Sequence, residues 1–257
     1  MKLIQGLMLI VTALTLSGMA AFADDAPFTL NTARGAPITV LVEKPNGDGP
    51  FPAVILGSGS GYPMQGPILT HVSQGLAQAG FAVFRFNWAY FVKDPVNGKQ
   101  SKDRQAEIED FNTVLGYARQ QPWVDKSRIV VGGKSLGSII AWRVFHVTPD
   151  IKAALLLTPV CSAGKPPLAP ADNYPDIASE ARASAWVLGD ADSACSTTVL
   201  YGFLAKANGP VRIDVLTGNH SLESSKGADA GNAERLEAVS RLAKDFLETT
   251  VARSATP

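Results

Sequence analysis

The sequence predicts a single α/β domain with a mostly parallel central sheet flanked by helices and no large cap domain. Two features predict it. Short apolar runs recur along the 257 residues, and amphipathic helical stretches alternate with them. The runs at Ala53-Val54-Ile55-Leu56 and Ala153 to Leu157 are continuously apolar, as strands covered on both faces should be. No linker divides the chain.

The elements follow in order. Thr29-Leu30-Asn31 and Ile38 to Val42 read as antiparallel strands around a turn at Arg34-Gly35. Asn46 to Pro50 is a loop. After the 53–56 strand, residues 66–79 carry helical spacing through Leu69, Val72, Leu76 and Ala79 and stop at Gly80. Phe81 to Phe84 is the next strand, and residues 102–120 form a helix with Ile108, Phe111, Leu115 and Ala118 on one face. A strand at Arg128 to Gly132 and a helix from Ser138 to Val147 follow. Ala153 to Leu157 is a strand, and 159–183 is Pro-rich, with a short helix expected at 176–182. Ala185 to Leu188 is a strand, 196–207 a helix, Val211 to Leu216 a strand and 230–250 a last amphipathic helix.

The amino terminus reads as a signal peptide over residues 1–23. Lys2 gives a positive start, Leu7 to Leu16 an apolar core, and Ala21-Phe22-Ala23 a cleavage site before Asp24. The apolar run is short for a membrane span; a retained anchor is the alternative. The expected mature domain is 24–257, secreted or periplasmic, with no membrane association after cleavage. Removing Lys2 leaves 22 basic residues against 23 acidic ones. That near-neutral balance offers no electrostatic case for nucleic acid.

Gly133-Lys134-Ser135-Leu136-Gly137 carries the chemistry. A serine at a sharp strand-to-helix turn is pushed out of the sheet, and flanking glycines let the backbone turn tightly. The following helix points its N-terminus at the same spot, which favours developing negative charge. Two rival readings fail. A Walker A loop ending in Gly133-Lys134-Ser135 needs glycine where Arg128 stands, and Gly57, Gly59 and Gly61 are spaced too closely for a dinucleotide fingerprint.

With the Gly189-Asp190-Ala191-Asp192 turn and Gly218-Asn219-His220, this elbow resembles the α/β-hydrolase fold, particularly its small dienelactone-hydrolase-like members. The resemblance covers residues 28–250. Phe84 to Trp88, with Gly132 to Ser135, is also similar to a group of predicted serine hydrolases. The order Ser135, Asp192, His220 matches the family order of nucleophile, acid and base, and implies a catalytic triad. Asp190 is the alternative acid. The oxyanion donors implied are the backbone N–H groups of Leu136 and Ser60, with Gly61 next in line. Many family members carry His-Gly where this chain has Ser58-Gly59.

His71 and His146 fall within expected helices, away from the site. Lys134 is expected to be a solvated surface residue, with steering of an anionic substrate as the alternative. Arg85 and Asn87 line the site or pin its loops; Tyr62, Trp88, Tyr90 and Phe91 wall a pocket or pack loops. The two cysteines, Cys161 and Cys195, each follow a strand and are expected to form a disulfide in an oxidising compartment; free thiols are the alternative. Too few Cys or His cluster for structural zinc, so no metal and no organic cofactor are implied. The function expected is a secreted serine hydrolase acting on a small-molecule ester or related acyl bond. Lactone or peptide hydrolysis, and a non-catalytic binding protein on the same fold, are the alternatives.

Overall fold

The structure, a computed structural model, describes residues 26–162, 169–224 and 231–251. The signal segment expected at 1–23 lies outside the described residues. Eight strands form one sheet: β1 (Phe28–Asn31), β2 (Pro37–Glu43), β3 (Phe51–Gly57), β4 (Ala82–Asn87), β5 (Val124–Lys134), β6 (Ala153–Leu157), β7 (Ala183–Gly189) and β8 (Val211–Leu216). Their order is β1-β2-β4-β3-β5-β6-β7-β8. β1 and β2 pair antiparallel, as do β2 and β4; β3 through β8 run parallel. The chain leaves β3 for β4 on one side and β5 for β6 on the other, so the loops after β3 and β5 flank one crevice at their C-terminal ends.

The helices cover both faces. On one side lie α1 (Pro67–Gln78) and α7 (Gly231–Val251), packed over Val54, Leu56, Val83, Val130, Leu155 and Val187. On the other lie α2 (Ala89–Lys93), α3 (Gln105–Gln120), α4 (Leu136–Val147), α5 (Pro170–Asn173) and α6 (Thr197–Leu204). Alternate residues of β3 and β5, such as Ile55 and Val131, point to that second face. Strands sandwiched this way are apolar on both faces, which is why they read as continuous runs.

The expected single α/β architecture is present, with differences at the element ends. β4 runs on through Arg85 to Asn87, and β5 begins at Val124. α4 begins at Leu136, immediately after Ser135, rather than at Ser138. The helix expected at 176–182 is not formed. Pro175 precedes Asp176, which adopts φ 59°, and the segment closes as a turn in which the Ser179 N–H donates to the Asp176 carbonyl. The helical turn of this region is instead α5, opened by Pro170 with the Asp172 carboxylate accepting from the Ala169 N–H. Between β6 and β7 the described residues hold no larger helical element than this.

Candidate active site

The elbow is built by close packing of backbone. Ser135 stands between β5 and α4 at φ 53°, ψ −112°, a conformation a non-glycine residue adopts only when its surroundings hold it. Its N–H donates to the Leu157 carbonyl at 3.0 Å, which fixes the turn to β6. The motif's two glycines have a steric cause. A Cβ on Gly137 would overlap the carbonyl of Gly57, and one on Gly133 would lie 2.6 Å from that same oxygen. Only glycine lets α4 sit this close to the end of β3.

Beneath the turn is a polar ladder that the sequence does not disclose. The Ser138 hydroxyl donates to the Ser135 carbonyl at 2.6 Å and lies 2.9 Å from the Tyr174 hydroxyl, which accepts from the Val160 N–H at 2.8 Å. Tyr174 is fully buried among Trp142, Trp186 and Phe203, and burial pushes its phenol well above the usual range. It therefore stays protonated and ties the loop after β6 to the elbow. Tyr174 lies 36 positions from Ser138, a separation no local pattern reveals.

His220 and Asp192 arrive on the two loops after β8 and β7. The His220 Nε2 is 2.9 Å from Ser135 Oγ, and its Nδ1 is 2.9 Å from both Asp192 carboxylate oxygens. Nδ1 faces an acceptor, so it carries the proton, leaving Nε2 to accept from the serine hydroxyl. The Asp192 side chain is fully buried while that of His220 is 25% exposed, so the relay runs from the interior to solvent. Asp190 serves the loop instead. Its Oδ1 accepts from the Gly218 N–H at 2.9 Å and pins the turn that leads to His220. The two loops meet closely enough that a Cβ on Gly189 would overlap the Gly218 carbonyl. Asn219 closes the His220 turn, its Oδ1 accepting from the N–H groups of Ser221 and Glu223.

Leu136 opens α4, so its N–H has no partner within the helix. The loop Gly57 to Gly61 passes over the serine: a Cβ on Gly59 would stand 3.6 Å from the Ser135 Cβ. Ser60, next along, is exposed, and its hydroxyl donates to Gln100 Oε1 at 3.0 Å. The loop at Ser58-Gly59 is anchored by Trp88, whose indole N–H donates to the Ser58 carbonyl at 2.8 Å in the buried interior.

The remaining residues divide between the readings. Arg85 and Asn87 pin loops. Arg85, buried, pairs with Glu43 at 2.6 Å and donates to the Met64 carbonyl at 2.7 Å, and Asn87 Oδ1 accepts from the Met64 N–H. Trp88 is loop packing, as its anchoring role requires. Tyr62 packs under Gly66, with its hydroxyl accepting from the Ile68 N–H at 2.9 Å. Burial pushes that phenol up to about 12. Phe91 packs against the core beside Tyr90, whose buried hydroxyl lies near Ser60 and Gly61 without a well-formed hydrogen bond. His71 and His146 sit on α1 and α4, away from Ser135.

Lys134 overturns its expectation. It is 3% exposed, with Nζ 4.7 Å from the centre of the Tyr62 ring. Desolvation lowers its pKa to about 8 against the opposing pull of Asp192 and Glu223. Strand alternation turns this side chain inward under Tyr62, a cover that sequence spacing does not disclose.

Cys161 and Cys195 form a disulfide, both fully buried. The N–H groups of Cys161 and Ser162 both donate to the Ala194 carbonyl at 3.0 Å, and the Ala194 N–H donates to Asp192 Oδ1 at 2.8 Å. The bridge therefore fastens the carboxylate's loop to the loop after β6. Among the described residues, no group of three or more His, Cys, Asp or Glu gathers as a metal site, and no helix is long and apolar enough to cross a membrane.

Comparison with known proteins gives a consistent picture. The family profile described as an alpha/beta hydrolase domain matches residues 51–248. The esterase FrsA of Citrobacter koseri is 32% identical over 132 residues, covering 50% of this chain and 30% of that protein. Its Salmonella paratyphi B counterpart is 30% identical over the same length. The match thus spans about three tenths of these curated relatives' length. Among solved structures, an alpha-beta serine hydrolase homologue from Coxiella burnetii superposes with a TM-score of 0.68 at 18% identity, covering 89% of this chain and 100% of that one. A serine hydrolase without lid from Xanthomonas campestris gives 0.63 at 18% identity, with 91% and 98% covered. At such identities the superpositions speak for the fold alone.

Proposed function

Because the chain belongs to the alpha/beta hydrolase domain family, we propose that it is a secreted serine hydrolase cleaving carboxylic esters or related acyl bonds of small molecules. The single observation that carries this reading is the unbroken relay from Ser135 Oγ through the His220 ring to Asp192, each step 2.9 Å. A serine hydroxyl is a poor nucleophile until a neutral imidazole can take its proton. Here His220 Nε2 is in place to do so as Ser135 Oγ attacks the acyl carbon. The buried Asp192 carboxylate holds the required tautomer and stabilises the imidazolium. The tetrahedral oxyanion falls to the backbone N–H groups of Leu136 and Ser60 beside the N-terminus of α4. Collapse expels the alcohol, which takes the proton from His220. Water, deprotonated by the same ring, then releases the acid from Ser135.

The curated relatives, named esterases, support an ester as the bond. A quarter-exposed His220 and an exposed Ser60 suit a small substrate reached directly from solvent. Secretion or a periplasmic location rests on the signal-like residues 1–23, and the buried disulfide is in keeping with it. No cofactor takes part in this scheme.

The test is hydrolysis of a short-chain p-nitrophenyl ester panel beside lactone and peptide panels, for the mature chain and Ser135→Ala. Ester turnover lost in Ser135→Ala is expected. Turnover confined to lactones or peptides replaces the bond assignment, and a folded protein inert on all three points to a binding role.

A further inference from the structure

The sheet ends at β8 with one side of that strand left open. Every residue of β7 after Ala183 is buried, whereas no residue of β8 is. The N–H and C=O of one strand residue point to the same side, and those of the next residue to the opposite side. The Pro210 carbonyl accepts from the Ser184 N–H at 3.0 Å, and the Leu216 carbonyl accepts from the Asp190 N–H at 2.8 Å. The even-numbered residues of β8 therefore face β7, and Val211, Ile213 and Val215 face outward. Among the described residues these have no backbone partner. An open row of donors and acceptors is a template for another strand. β1, at the opposite edge, has only 4 residues.

The side chains restrict what this edge can accept. On one face Val211 and Ile213 pack against the core, while Val215 is 39% exposed. On the other face Arg212 Nε lies 2.7 Å from Asp214 Oδ2. A second β8 can approach antiparallel about a twofold axis, provided that outward residues stand opposite outward residues. With the axis at Ile213, Arg212 falls opposite Asp214 of the second copy, and Val215 falls opposite Val211. Moving the axis to Arg212 sets two arginines face to face, and moving it to Asp214 sets two aspartates face to face. Facing opposite charges attract and facing like charges repel. The strand is complementary to itself in the register centred on Ile213, and its charges oppose slippage to either neighbouring one.

We propose that two copies of this chain associate through β8, joining their sheets antiparallel about a twofold axis at Ile213. Val211, Ile213 and Val215 each donate to and accept from the other copy. The exposed Val215 is covered by Val211 across the seam, and Arg212 and Asp214 of the two copies form a cluster of alternating charge. Because the paired strands run in opposite directions, the C-terminal edges of the two sheets point away from each other, and neither copy covers the other's Ser135.

The experiment is sedimentation velocity of the purified protein from about 1 µM to about 200 µM, with circular dichroism as the check on folding. Wild type is expected to reach twice the chain mass within that range. Arg212→Asp makes the strand acidic and Asp214→Arg makes it basic. Either alone turns two attractive facing pairs into repulsive ones and should weaken self-association by roughly tenfold or more. Mixing the two variants in equal amounts should restore the dimer, since an acidic strand then faces a basic one. The Arg212–Asp214 pair within one chain is partly exposed, so its loss should leave the fold intact. Val215→Pro removes an outward N–H and no bond to β7, and should also weaken the dimer. A wild type that stays monomeric up to about 200 µM overturns the proposal. So do single charge variants that dimerise as wild type does, and a mixture that does not recover. Should a charge variant not fold, Val215→Pro decides, and undiminished association overturns the proposal. Association is read as mass, so the outcome is independent of what Ser135 does.

Discussion

Replacing both cysteines, Cys161→Ala with Cys195→Ala, should weaken the protein and its turnover together. The bridge closes a loop with a sequence separation of 34. The loop-entropy relation puts release of a closure of that length at about 4 kcal/mol of lost stability. For a domain of this size that corresponds to a fall in Tm of roughly 8–16 °C. The fold should survive, because the N–H groups of Cys161 and Ser162 still reach the Ala194 carbonyl. The effect on turnover follows from geometry. Ala194, next to Cys195, donates its N–H to Asp192 Oδ1 at 2.8 Å. Freeing this loop lets the carboxylate drift from His220, and displacement on the scale of an ångström costs roughly a hundredfold. Urea titration gives the first quantity, and kcat and KM on a p-nitrophenyl ester the second. Loss of kcat by roughly 10- to 100-fold with KM little changed is expected. A variant within about 1 kcal/mol of wild type, with undiminished kcat, would refute the coupling of bridge and acid. Because both sulfurs are fully buried, native wild type should resist reductant until denaturant opens it.

Other consequences follow from individual residues. Asp192→Asn should keep KM and lower kcat by about 10⁴ through loss of the correct histidine tautomer, while Asp190→Asn, which only loosens the Gly218 turn, should lose under about tenfold by the same assay. Gly137→Val should fail to give folded protein in a solubility and circular dichroism screen, since its Cβ overlaps the Gly57 carbonyl; soluble, active protein would contradict the packing described. The Lys134 pKa, lowered from 10.5 to about 8, sets a pH dependence of stability. Below about pH 8 the ammonium is charged whether folded or unfolded, and its burial costs up to about 3 kcal/mol. Between about 8 and 10.5 the unfolded chain binds the proton more tightly, so stability rises with pH and the cost is gone above that window. Lys134→Met should therefore be more stable than wild type at neutral pH and lose that advantage near pH 10, read by urea unfolding at both values.

How much of this was legible in the sequence depends on the range of the forces involved. Ala53 to Leu56 and Ala153 to Leu157 are legible as strands because burial on both faces demands an unbroken apolar run. The elbow is legible because the approach of α4 to Gly57 leaves no room for a Cβ, and that demand is written as two glycines. Cys161 and Cys195 are legible as partners through the strands they follow, β6 and β7, which lie side by side. What depends on long-range cover is not written locally. Lys134 looks like any surface lysine until Tyr62, 72 positions earlier, is folded over it. Asp190 and Asp192 share one turn and are separated only by what the β8 loop brings to them: a backbone N–H to the first, an imidazole to the second. Tyr174 sits in a Pro-rich stretch with no signal of its own, yet it meets Ser138 beneath Ser135. The helix expected at 176–182 failed because Pro175 and the left-handed Asp176 turn the chain instead.

The central claim is that Ser135 is activated by His220. Its most direct test is covalent labelling of the folded protein with a fluorophosphonate probe, read by mass spectrometry beside Ser135→Ala and His220→Ala. The account predicts one adduct, on the peptide containing Ser135, absent in Ser135→Ala and slower by at least about a thousandfold in His220→Ala. A folded wild type that takes up no probe, or one labelled equally fast without His220, would contradict it.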